Sequence, residues 1–165
     1  MKKIRLLTLL LGSSFFLSAQ DFGRADSLRG FLFPERSCYD VTYYHLSLNV
    51  NPEEKFIKGF TDIHFDAVKD FDVIQIDLFE NLKINRIEFE QQDLNFTREY
   101  NAVFVNFHRL VLQGENTSIK VYYEGNPRVA VHAPWDGGFS WEKDENGTDW
   151  IGVSCQGLGA SSWWP

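Results

Sequence analysis

Gln156, Gly157, Gly159 and Ala160 stand in a stretch, Ser154-Cys-Gln-Gly-Leu-Gly-Ala-Ser-Ser-Trp-Trp-Pro165, whose residue types suit one wall of a binding cleft. Gln156 offers a donor and an acceptor on one side chain, and the two glycines permit tight turns and close approach of backbone to a ligand. Trp163 and Trp164 bring large apolar faces. Only Pro165 follows them in this sequence, so both are expected to be exposed and the opposite wall to lie on a further segment. On that expectation the chain is the amino-terminal portion of a larger enzyme.

Other residues that could do chemistry are scattered. His45 and His64 fall on the polar faces of strand-like runs, His108 follows an apolar run and His132 sits in a turn-rich segment. None shares the helical i, i+4 spacing of a zinc peptidase, and the H-E-x-x-H motif is absent. Gly159-Ala-Ser-Ser162 lacks the glycine that must follow a serine in a nucleophile elbow. Asp62, Asp66, Asp70, Asp72, Glu142, Asp144 and Glu145 read as the solvated carboxylates of an acidic surface. Cys38 and Cys155 have no partner at ligand spacing. They are either two buried thiols or a disulfide, which would require Cα atoms within ~7 Å.

The chain of 165 residues carries a formal charge of −7 and has no Lys/Arg cluster, which argues against nucleic acid as a partner. Residues 1–20 read as a signal peptide. Lys2, Lys3 and Arg5 precede the largely apolar run from Leu6 to Leu17, and Ser18-Ala-Gln20 supplies a small-residue cleavage site. The run falls short of the ~20 apolar residues of a membrane span. Export to the periplasm, cell surface or medium is therefore expected, followed by a polar, loosely packed extended lead-in over residues 21–37 and one domain over residues 38–165.

The elements that must position the cleft wall are strands. Apolar residues recur with period two from Tyr39 onward. Tyr44, Leu46, Leu48 and Val50 share one face of a first strand, and Asn51-Pro-Glu-Glu54 makes a turn. Ile57, Gly59, Thr61, Ile63, Phe65 and Ala67 share one face of a second, with Phe60 alone breaking the alternation. The pattern continues through Ile74 to Leu78, Leu82 and Ile84, Ile87 and Phe89, Val103 to Phe107, and Ile119 to Tyr123. Asn146-Gly147 predicts a hairpin between Phe139–Trp141 and Trp150–Val153. The fold class is all-β, a twisted and mainly antiparallel sheet or sandwich.

Three regions in this order carry a family resemblance: Tyr39-Asp-Val-Thr-Tyr-Tyr-His-Leu-Ser-Leu-Asn-Val50, Ile57-Lys-Gly-Phe-Thr-Asp-Ile-His-Phe65, and Gln156 to Pro165. They resemble the amino-terminal β domain of the aminopeptidase N family of zinc metallopeptidases, the gluzincins. The resemblance implies a saddle-like domain ahead of a catalytic domain in the same protein, and a peptide's amino terminus as the substrate group. Gln156 would bind the substrate's α-amino group, beside Gly157, Gly159 and Ala160. Ser161 departs from the arginine that many members carry there. Zinc and the catalytic residues would lie downstream in the parent enzyme, with no metal and no catalytic residue in this chain, which would be inactive alone. The rival reading is a stand-alone exported β-sandwich module that binds carbohydrate or peptide through its tryptophan-rich loops.

Overall fold

The computed structural model describes residues 22–165, so the signal peptide expected over residues 1–20 lies outside the described residues. The lead-in differs from the extended segment expected. It forms a short helix, α1 (Arg24–Gly30), and one turn, α2 (Pro34–Ser37), opened by proline at its first position. Leu28 is buried and its carbonyl accepts from the Gln75 carboxamide at 3.0 Å. The inward leucine and that hydrogen bond help to dock a helix too short to show a period of its own.

The body is all-β and antiparallel. Strands β1 (Tyr39–Asn51), β2 (Phe56–Ala67), β3 (Phe71–Asp77), β4 (Leu82–Phe89), β5 (Gln92–Glu99), β6 (Ala102–Val111) and β7 (Asn116–Gly125) form one sheet in the order β1-β2-β7-β4-β5-β6-β3. The sheet folds over on itself at β5. Gln92 to Leu94 pair with β4, whereas Asn95 to Glu99 pair with β6, so one strand serves both layers. The inward faces meet in one apolar core, where Ile57, Phe65, Ile74, Ile87, Val105 and Val121 are fully enclosed. Phe71 bridges the layers, with its ring centroid 6.1 Å from Phe65 and 5.4 Å from Phe107. Burying such rings supplies most of the drive to fold.

The alternation in β2 places Ile57, Thr61, Ile63, Phe65 and Ala67 inward as expected. Phe60 lies on the outer face between His45 and Tyr122. In β1 the residues facing β2's core side are Tyr39 and Val41 and then Tyr44, Leu46, Leu48 and Val50. That change of parity is made by a register shift between Val41 and Tyr43, an extra residue that turns the second half of the strand to the same side. Beyond the sandwich, β8 (Gly138–Lys143) and β9 (Asp149–Ser154) form the hairpin expected around Asn146-Gly147.

Candidate functional site

After β9 the chain makes a turn through Gln156, Gly157 and Leu158 and enters a single 3-10 turn, Ala160–Ser162. Gly157 and Gly159 have φ of +71° and +79°, a region that costs a side chain strain and glycine none. The Cys155 carbonyl accepts from Leu158 N at 3.1 Å and from Gly159 N at 3.0 Å, closing the turn. Gln156 is exposed at its outer edge. A methyl group at Gly137, itself at φ +65°, would meet Leu158 Cδ1 at 2.7 Å and the Gln156 carbonyl at 3.3 Å, so the turn sits directly on the Gly137 backbone. Asp136 fixes that neighbour. Its carboxylate accepts from His132 N and Val131 N, and these bonds hold it below the ordinary carboxylate pKa.

The stretch from Ala160 to Pro165 lies against the sandwich rather than standing clear of it. Phe79 N donates to the Ser161 carbonyl at 2.8 Å, tying the 3-10 turn to the β3–β4 connection. Ser162 and Pro165 are buried. Trp164 meets Tyr44 of β1 edge to face at 4.7 Å, and Trp163 meets Phe139 of β8 at 5.7 Å. The two indoles are therefore half-buried, which corrects the expectation of bare tryptophan faces. The exposed ones are Trp135 at 73% and Trp150 at 68%.

Two cavities flank this segment. One, of about 160 Å³, lies between α1 and the β3–β4 and β5–β6 connections, with Arg29, Asp77 and Ser161 in its wall. The other, of about 250 Å³, reaches Tyr39, Tyr44, Asp77 and Pro165. Between them Asp77 is paired with Arg36 and accepts from the Gln75 carboxamide. Burial pushes the Tyr39 and Tyr44 phenols up, so both stay neutral donors at physiological pH. Gln156, Gly157, Gly159 and Ala160 line neither cavity, whereas Ser161, next to Ala160, lines both.

The remaining candidates do not assemble. His64 lies 3.7 Å from Asp62, and His108 lies 3.6 Å from Glu90, as separate surface pairs. Cys38 is buried, Cys155 half-buried, and both are free thiols. Among the described residues no three His, Cys, Asp or Glu side chains come together as metal ligands, and none of the described helices is long and apolar enough to cross a membrane. Sequence reasoning did not single out Arg29, Arg36 and Asp77. Their roles depend on strand order, which no local signal in residues 21–37 carries.

Comparison of the sequence with family models and with curated proteins gives no match. Solved structures do match. A variant of the M1 zinc metallopeptidase from Deinococcus radiodurans, bound to a Tyr-Ser-Ala substrate, aligns with 66% of this chain and 25% of its own, at TM-score 0.54 and 22% identity. Native leukotriene A4 hydrolase from Saccharomyces cerevisiae aligns with 77% of this chain and 20% of its own, at TM-score 0.59 and 14% identity. The yeast hydrolase in complex with bestatin gives 78%, 20%, 0.59 and 14%. What they share with this chain is the fold. The chain spans a fifth to a quarter of the length of these enzymes. The zinc named for the metallopeptidase finds no ligand set among the described residues here.

Proposed function

We propose that this chain is the amino-terminal, substrate-cleft domain of an exported zinc aminopeptidase that removes amino-terminal residues from peptides. The observation that carries the reading is the match in fold to an M1 zinc metallopeptidase, of which the chain spans 25%. In that role the sandwich braces a catalytic domain supplied further along the same protein, where zinc and its ligands reside, and this chain alone is inactive. Export follows from the signal-peptide pattern of residues 1–20.

Gln156 is the residue that meets the substrate. Its side chain is exposed at the rim of a turn whose backbone is fixed on both flanks, so the amide oxygen can accept from an α-ammonium group. A neutral acceptor there avoids burying a second full charge. Gly157 and Gly159 keep the adjoining backbone free of side chains, and Ala160 keeps the next position small. The full-length polypeptide carrying Gln156→Ala should lose about 1–3 kcal/mol of substrate binding, read as a higher KM on chromogenic aminoacyl substrates. An α-N-acetylated substrate should be refused by both proteins. An unchanged KM sinks the role of Gln156.

A second reading rests on Trp135 and Trp150, which are exposed as a carbohydrate- or peptide-binding platform would require. Saturable quenching of tryptophan fluorescence by polysaccharides would favour that reading, and flat titrations would favour the aminopeptidase domain.

A further inference from the structure

The guanidinium of Arg29, in the last turn of α1, donates to the carbonyl of Gly157 across 128 residues of sequence. Among the described residues Arg29 forms no ion pair. Its neighbour on the helix, Arg24, spends its charge differently, in a two-pronged pair with Glu99 at 2.9 Å. The helix therefore has one arginine that docks it on the sheet and one that reaches the turn bearing Gln156. A charged donor on a backbone carbonyl is among the stronger hydrogen bonds a protein makes.

We infer that Arg29 is a positioning residue for substrate specificity, clamping the Gly157 carbonyl so that the Gln156 side chain is presented to a substrate amino group. The inference rests on the role proposed above for Gln156. The turn is seated on Gly137 through the Gln156 carbonyl and Leu158 and tied further along at Ser161, and the Gly157 carbonyl between them accepts, among the described residues, from Arg29 alone. Glycine at φ +71° has a wide choice of alternative conformations, so an external clamp there removes more disorder than it would at Gln156 or Leu158 on either side. The amino-terminal segment thus acts as a strap from the outer face of β3 to the substrate-facing turn, rather than as a linker.

The test is kinetic and uses the full-length polypeptide with Arg29→Ala, Arg29→Lys, Arg24→Ala, Gln156→Ala and the Arg29→Ala/Gln156→Ala double variant. Arg29→Ala should raise KM for aminoacyl substrates about tenfold with kcat held within a factor of about three, and lysine should restore part of the loss. Arg24→Ala, which loosens the same helix without touching the turn, should leave both constants near wild type. The double variant should be no worse than Gln156→Ala, because two residues acting through one contact are not additive. Additive losses, equal losses in the two arginine variants, or a silent Arg29→Ala beside an impaired Gln156→Ala would overturn the clamp. Hydrogen exchange separates this failure from that of the underlying reading. Faster exchange over residues 155–161 in Arg29→Ala, with Gln156→Ala kinetically silent, would keep the clamp and remove the proposed role of Gln156. Unchanged exchange there would remove the clamp itself.

Discussion

The sandwich built from β1 to β7 and the terminal stretch from residue 126 onward are held together by different physics. In the sandwich, long antiparallel ladders enclose aliphatic and aromatic side chains from two layers, and its tightest residues, such as Ile57, Phe65 and Val121, have no exposure. The terminal stretch has one isolated hairpin, and Phe139 is its one large apolar residue in the core cluster. Its order comes from single contacts: Asp136 on two backbone amides, Arg29 on Gly157, Phe79 on Ser161. Two of its indoles, Trp141 and Trp163, bury their N–H groups without a hydrogen-bond partner, as Thr61 and Tyr123 bury their hydroxyls in the sandwich, but the terminal stretch has far less enclosed apolar area to offset that cost. A scaffold is fixed by area and a site by a few directional bonds, and the second kind of region opens more easily.

That contrast breaks most readily in the sandwich. Phe65→Ala removes a fully buried ring that contacts Tyr39 and Phe71, and should cost about 3–5 kcal/mol, lowering the whole denaturation transition. Phe139→Ala removes a ring that is also buried but flanked by the half-buried Trp141 and Trp163, which can settle into the gap. Its loss should fall at or below the low end, about 3 kcal/mol, and be local. In native-state hydrogen exchange, amides from β8 onward should lose protection while those of β2 and β7 keep it. Matching losses in β2 and β7 would mean that the two regions are one cooperative unit and would remove the distinction.

Much of the sandwich is legible in the sequence because period-two alternation follows directly from a sheet with one wet face. The facing residues of β2 and the hairpin at Asn146-Gly147 are both in that class. β5 is not, although Leu94 is buried, because its two bounding turns hide. Glu90 and Gln91 both take positive φ between Phe89 and Gln92, and Tyr100 takes it between Glu99 and Ala102. The usual Asn-Gly or Gly signal is missing at each, so a hairpin there has no local signature. Leu82–Ile84 and Ile87–Phe89 read as two runs but form one strand, β4, interrupted by a register shift between Ile84 and Arg86.

In the terminal stretch the turn-forming glycines were legible and the packing was not. The glycines of the terminal stretch do sit at positive φ, as a turn of that composition suggests. What covers Trp164 could not be read from sequence, because Tyr44 lies 120 positions away and reaches it only through the parity change in β1. The same holds for α1, whose single buried leucine gives no periodic signal.

The claim at the centre of this account is that the chain forms one wall of a zinc aminopeptidase cleft. The most direct measurement is release of amino acids from aminoacyl substrates by the full-length polypeptide, before and after chelation and again with zinc restored. The account predicts activity that chelation abolishes and zinc returns, with none from residues 22–165 alone. Activity indifferent to chelation, or no release from any aminoacyl substrate by zinc-loaded full-length protein, would contradict it.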